Sequence, residues 1–194
     1  AWRAASSGGY GLRRAAAGTG RAGAGHPCPW THPVSRRSTG IPAERSHAKL
    51  DIAVLNHQLS LRCGLAWCDG LIEGNIISDN DGSSMGPSGG GLAYCHGVIR
   101  SNVVSGNRAS GDAGGGVDHC DGTIQGNQIT LNTAQQGGGV ARCLGLIRGN
   151  TIATNYPNGI YRSDAAVRNN LILHNQGHGL NQCHGTVENN TVFG

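Results

Sequence analysis

Asp118, His119 and Asp121 bring two carboxylates and an imidazole into four residues near the middle of the chain. An imidazole titrates close to neutral pH and moves protons readily, and a carboxylate beside it can orient it or share the work. Arg142 adds a guanidinium that can grip a carboxylate through two parallel hydrogen bonds. With His96, these groups suit the abstraction of a proton beside a uronate carboxylate, the arginine neutralising that carboxylate. A glycoside hydrolase would instead need two carboxylates at a set separation. Trp67, Tyr94, His96, Arg142 and Arg162 form a matching ligand-binding set. Aromatic faces stack on sugar rings, and arginines take acidic groups. These residues span almost a hundred positions, so something periodic must bring them together.

That period is visible in asparagine. Asn75, Asn102, Asn127, Asn150, Asn170 and Asn190 recur at gaps of 27, 25, 23, 20 and 20 residues. Five residues after each of the first five stands another: Asn80, Asn107, Asn132, Asn155 and Asn175. Seven residues before each of the six stands a small side chain: Cys68, Cys95, Cys120, Cys143, Ser163 and Cys183. A repeat of this length covering most of a chain predicts a solenoid. Each copy also holds three apolar columns. They begin at Leu65, Ile72 and Ile77 and end at Leu180, Val187 and Val192. Most members are β-branched, and glycine or asparagine interrupts every apolar stretch, so short strands fit and helices do not. Three short strands per copy describe one turn of a parallel β-helix of about six rungs. The asparagines are expected to serve the bends, because Asn tolerates left-handed backbone, and to form a side-chain ladder at the rung spacing of about 4.8 Å. The glycine triplets at 89–91, 114–116 and 137–139 are expected to supply the other bend. Length varies only between the second asparagine and the glycines, as in Asp81–Ser88 and Arg108–Ala113, where surface loops are expected.

The pattern G-G-G-hydrophobic-x-x-C-x-G-x-I-x-x-N-x-I-x-x-N resembles the right-handed parallel β-helix repeats of the pectin-lyase-like superfamily. It is most similar to the Gly- and Asn-rich repeats of large bacterial secreted and cell-surface proteins. The resemblance covers roughly residues 64–194. It implies an all-β solenoid and an extracellular or cell-surface location. It leaves function open, because that superfamily hosts lyases, hydrolases, epimerases, adhesins and plain scaffolds.

If the cysteine column Cys68, Cys95, Cys120, Cys143 and Cys183 points inward, its neighbours on either side point out. Trp67, Tyr94, His119, Arg142, Arg162 and Gln182 precede it; Asp69, His96, Asp121, Leu144, Asp164 and His184 follow it. This strip brings the candidate catalytic residues His119, Asp121, Asp118 and Arg142 onto adjacent rungs, and the resembled enzymes use such a strand face as their polysaccharide groove. The cysteine spacings are repeat spacings and match no zinc signature. Cys63 and Cys68 are the one local disulfide pair outside the ladder that the spacing allows. Gly177-His178-Gly179 is similar to an element of polygalacturonases, but the acidic pair and the basic motif that should accompany it are missing. No cofactor is expected, and only Asp79 and Asp81 suggest a place for a calcium ion.

Residues 1–49 are rich in Ala, Gly, Arg, Ser and Pro, without apolar periodicity, and read as a disordered leader. Residues 50–63 read as a degenerate first rung or cap. Residues 1–50 carry eight Lys/Arg against Glu44, and residues 51–194 carry seven Arg against ten acids, so the net +4 divides into +7 and −3. The basic tail lacks interleaved aromatics, and Lys49 is the only lysine, so no nucleic-acid partner is expected. No stretch is apolar enough to span a membrane. The chain starts without Met and stops within a rung, which reads as part of a longer protein. Regular repeats, a single lysine and the lack of a complete catalytic motif favour a non-enzymatic scaffold that binds polysaccharide or another cell-surface glycan, or acts in adhesion. The alternative is a lyase or epimerase acting on an acidic polysaccharide.

Overall fold

A computed structural model describes residues 49–50, 63–82, 89–110 and 113–194. Every regular element among them is a β-strand of two or three residues, and every pairing is parallel. The first strand of each repeat, from Leu65–Ala66 to Leu180–Asn181, stacks into a six-stranded sheet. The third strands, from Ile76–Ser78 to Thr191–Phe193, form another six-stranded sheet. The second strands, from Leu71–Glu73 to Val187–Glu188, form a sheet of seven because Lys49–Leu50 adds to its end, opposite Leu71 and Ile72. The predicted three-strand rung is therefore the observed unit. The expectations for residues 1–48 and 51–62 lie outside the described residues.

The three apolar columns fill the axis. Ile72, Ile99, Ile124, Ile147 and Val167 pack with Ile77, Val104, Ile129, Ile152 and Ile172 and with the Leu65-to-Ile160 column in one buried cluster. In the last rung Val187 and Val192 are about half exposed, since no rung covers them in the structure.

Among the described residues seventeen have a positive φ, and each stands immediately before a ladder residue. Six precede the Cys/Ser column, six precede the first asparagine column and five precede the second. This corrects the assignment of the bends. The asparagines themselves are not left-handed; Gly74, Ser101, Gly126, Gly149, Asn169 and Asn189 turn the chain, and the asparagine that follows points into the core. The glycine triplets do not supply left-handed bends either. Their glycines permit close approach: a Cβ on Gly116 would lie 2.8 Å from the carbonyl of Gly139 in the next rung.

The inward asparagines form two continuous ladders. Asn127 Oδ1 accepts from the backbone N–H and the side-chain Nδ2 of Asn102, at 2.9 and 3.0 Å. Its own Nδ2 donates to Asn150 Oδ1 at 3.0 Å and back to the carbonyl of Ile99 at 2.9 Å. All the hydrogen-bonding capacity of a buried amide is thus spent on the rungs either side. Among the described residues no buried side-chain nitrogen or oxygen lacks a partner. The cysteines repeat the device more weakly: Cys95 and Cys120 each donate a backbone N–H to the Sγ of the next rung at 3.3 Å, and Cys143 donates to Ser163 Oγ at 3.2 Å. Cys63 is free, so the local pair with Cys68 does not form; Cys68 is disulfide-bonded elsewhere.

First and second apolar columns are seven residues apart in every copy, and second and third are five apart. Only the return from third to first varies, from 15 residues (Ile77 to Leu92) to 8 (Ile172 to Leu180). Part of that return is paired rather than looped. Asp81–Gly82 lies parallel to Arg108–Ala109, and bridges continue through Thr133 to Tyr156, with Ala109, Ala113 and Ala134 buried beneath.

Replacing Asn127 with Ala should remove about 3 kcal/mol of stability, because it strands amide groups on both neighbouring rungs. Asn190→Ala, which strands the donors of Asn170 on one side only, should cost less than Asn127→Ala. Urea unfolding followed by circular dichroism measures both. Burial pushes the Cys63 thiol up to about 12 and raises Cys143 and Cys183 as well. These thiols stay protonated when folded, whereas in the unfolded chain they ionise near pH 9. Their contribution is therefore complete below pH 9, and the unfolding midpoint should fall as the pH rises from about 9 towards 12.

Candidate functional site

The strip begins where the first strand of each rung turns into the second. Trp67, Tyr94, His119, Arg142, Arg162 and Gln182 are all left-handed, with φ between 45° and 58°. This conformation faces their side chains outward while the next residue, Cys or Ser, enters the core. The predicted column therefore lies on the outside of the corner, in the left-handed conformation that the corners before the asparagines share. Bulky L residues rarely adopt this region, yet none of these six corners carries glycine. Four of the equivalent corners before the asparagines do.

Along the first three rungs the column is an aromatic stack. Trp67 and Tyr94 lie with ring centroids 4.4 Å apart and planes 6° from parallel; Tyr94 and His119 follow at 4.9 Å and 9°. The ring faces are thus largely spent on one another. A sugar approaching from outside meets mostly ring edges and polar tips, which differs from the face-on stacking expected from the sequence.

Asp118 is the anomaly of the site. Its column holds alanine at Ala66, Ala93 and Ala141, but in the third rung it holds a carboxylate with no exposed surface. The segment carrying the glycine triplet covers it; a Cβ on Gly89 would come within 2.8 Å of its own Cβ. Asp118 Oδ1 accepts from the backbone N–H of Gly114 at 3.1 Å. Arg142, one rung on, donates Nε and Nη2 to Oδ1 at 3.1 and 2.9 Å, and Nη2 also to Oδ2 at 2.8 Å. His119 Nδ1 sits 3.0 Å from Oδ2. That bond makes Nδ1 the protonated nitrogen of the neutral ring and leaves the Nε2 lone pair available. The structure therefore joins Asp118, His119 and Arg142 into one hydrogen-bonded group. Asp118 serves there as an orienting anion, because it has no exposed surface through which to reach a substrate.

Asp121 and His96 belong to a second group. Asp121 Oδ2 lies 3.7 Å from His96 Nδ1. The column they share also caps backbone. Asp69 Oδ1 accepts from the N–H of His96, His96 Nδ1 from that of Asp121, Asp121 Oδ1 from that of Leu144, and Asp164 Oδ1 from that of His184, at 3.1 to 3.3 Å. This external ladder was not legible from residue types. Further along, Arg142, Arg162, Asp164, Gln182 and His184 line a shallow open depression of about 440 Å³. Arg162 Nε donates to Gln182 Oε1 at 2.8 Å.

Among the described residues no group of three or more His, Cys, Asp or Glu side chains is placed to share a metal ion. Asp79 is a left-handed corner and Asp81 pairs with the Arg108 strand, so both have places in the backbone scheme. In Gly177-His178-Gly179, the His178 N–H donates to Asn158 Oδ1 at 2.9 Å, tying the element to the rung before it. No described helix is long and apolar enough to cross a membrane.

With parallel stacked rungs, inward ladders and left-handed corners established, one comparison decides the family. The model of the right-handed beta helix region matches residues 69–194, most of the chain and nearly all of the described repeats. The chain belongs to the right-handed beta helix family. No curated protein and no solved structure matches it. Membership accounts for the scaffold of this beta helix protein, while the Asp118 group, the aromatic stack and the arginines are features of its own rungs.

Removing Arg142 alone would leave the Asp118 carboxylate buried and short of a counter-ion. Arg142→Ala should therefore cost about 3 kcal/mol. Adding Asp118→Ala should recover most of that loss, because alanine already fits three neighbouring positions of the column. A double-mutant cycle by urea unfolding reads the coupling directly.

Proposed function

We propose that this beta helix is the repeat scaffold of a secreted or cell-surface protein and binds an extended polysaccharide along the strip that runs from Trp67 to Gln182. One observation carries the reading: none of the six corners of that strip is glycine, although glycine would adopt the conformation at lower cost and holds four of the eleven corners before the asparagines. Backbone strain kept at every corner points to a use for the side chains rather than to the fold. The constant seven-residue spacing keeps the strip clear of insertions, so a linear polymer can lie across several rungs. Tyrosine and histidine edges, the Arg142 and Arg162 guanidiniums, and the Gln182 amide offer it a row of donors and acceptors.

A second reading, proton abstraction from a uronate in a lyase or epimerase, has one specific observation in its favour. Asp118 holds the His119 imidazole with Nε2 as its basic nitrogen, beside an arginine able to neutralise a carboxylate. In that case the protein would release unsaturated products or invert the sugar carbon, and His119→Ala would retain ligand while losing turnover.

Columns of immobilised neutral and acidic polysaccharides separate the two. The scaffold reading expects retention on at least one polymer without ultraviolet-absorbing unsaturated uronide. Arg162→Gly, which relieves a strained corner, should keep stability within about 1 kcal/mol of the parent while weakening retention. Failure of every polymer to retain the folded protein, or retention indifferent to substitutions at Trp67, Tyr94 and Arg162, would contradict the proposal.

A further inference from the structure

From Ile77 to Ile172 the middle residue of each third-sheet strand is buried, which turns the first and third residues outward. They make two outer columns, one from Ile76 to Thr191 and one from Ser78 to Phe193. None of these twelve residues is charged: six are apolar, five carry a hydroxyl and the twelfth is Gln128. The corners leading into this sheet, from Gly74 to Asn189, add no charge either. Of the five corners leading out, only Asp79 is a carboxylate, and it lies along the stack over Gly106. His174, in the same column, is turned edge-on to Phe193.

The second sheet shows that the rung does not impose this. Its outer column reads Glu73, Arg100, Gln125, Arg148, Arg168 and Glu188, with Arg148 directly partnering Arg168. A face kept in water has no need to exclude charge, because charge there keeps a protein soluble. Depletion of charge is instead the mark of the buried centre of a protein–protein contact. The exposed apolar groups agree with that. Ile76, Leu171 and Phe193 are 45%, 39% and 66% exposed. Leu131, at the left-handed corner that borders the third rung, is 64% exposed, where the rung before has Gly106.

We propose that this face is the contact between two copies of the chain, packed sheet against sheet about a two-fold axis. Three properties fit a second copy. A two-fold contact brings a face against itself, so a charge at its centre would meet its like, and this face has none there. Hydroxyls both donate and accept, so identical Ser and Thr columns can satisfy one another across the axis. The size also fits: with its eleven flanking corners the face holds 23 residues, within the roughly 20–30 a side of a stable interface. The strip from Trp67 to Gln182 lies at the corner that the third sheet does not adjoin, so the dimer leaves both strips open. Two strips on one particle hold a long polymer more tightly than one.

Sedimentation velocity of the full chain over a range of concentrations tests the proposal. The expected result is a monomer–dimer equilibrium with the dimer dominant by about 100 μM. Thr151→Glu and Thr151→Lys each put a charge near the centre of the face and should weaken the dimer about tenfold or more, whereas the two variants mixed should associate again. Thr123→Glu, on the second sheet, should dimerise as the parent does, and circular dichroism should show every variant folded. A chain that stays monomeric throughout would overturn the proposal. So would a dimer that both Thr151 variants leave intact, which would place the contact elsewhere, as at the half-exposed end formed by Val187 and Val192. Growth beyond the dimer marks an open-ended contact and would overturn the two-fold arrangement as well.

Discussion

A side-chain amide buried in an apolar core is costly unless all its donors and acceptors are engaged. In this solenoid the inward asparagines from Asn102 to Asn170 and from Asn107 to Asn155 meet that demand through the rungs above and below them, and most of the fold follows. Carboxamides in register must lie one strand spacing apart, so the strands stack parallel and stay short. The residue before each amide must turn the chain sharply, so it takes the left-handed conformation. Once it does, its side chain is thrown outward. The candidate site is thus a by-product of the core: corner residues face solvent because the residues after them face the axis.

The corner beneath the strip differs from the other two. Its ladder is built from Cys68, Cys95, Cys120, Cys143 and Cys183, whose sulfurs accept hydrogen bonds less strongly than a carbonyl oxygen, with Ser163 and its hydroxyl in the fifth rung. It is also the corner where glycine is absent and Asp118 interrupts an alanine column. The rungs are therefore held least firmly by the inward ladder where the surface chemistry is richest. The external column from Asp69 to His184 and the Asp118–Arg142 pair add hydrogen bonds across rungs on that side. His96 and Asp121 accordingly serve the backbone as well as any ligand, and substitutions there will mix structural and functional effects.

The period of Asn75 to Asn190 made the rung legible in the sequence, and β-branched residues at Ile72 and Ile77 and their counterparts made its strands legible. The outward strip was legible too, since flanking an inward cysteine leaves few alternatives. The bends were misplaced. Asn is a familiar left-handed residue, but here burial of its amide claims it for the core, and the turn passes to whatever precedes it, even Trp67 or Leu131. The glycine before Asn75, Asn127 and Asn150 was the available sign. Stacking of Trp67, Tyr94 and His119, and the burial of Asp118 under the glycine segment, depend on side-chain geometry that spacing does not contain. The pairing of Arg148 with Arg168 follows from register, which becomes visible only when the columns are read for charge as well as for apolarity.

The central claim is that the asparagine ladders hold the rungs together, and native-state hydrogen exchange followed by NMR tests it most directly. The account predicts that the backbone N–H groups of Asn102, Asn127, Asn150, Asn107 and Asn132, each donated to a side-chain oxygen in the next rung, exchange only through global unfolding. They should be among the slowest amides in the chain. Exchange of those amides through local opening, as fast as the amides of the corners Gly74 and Leu131, whose N–H groups make long bonds of 3.3 and 3.4 Å to the next rung, would contradict it and place the stability of the stack elsewhere.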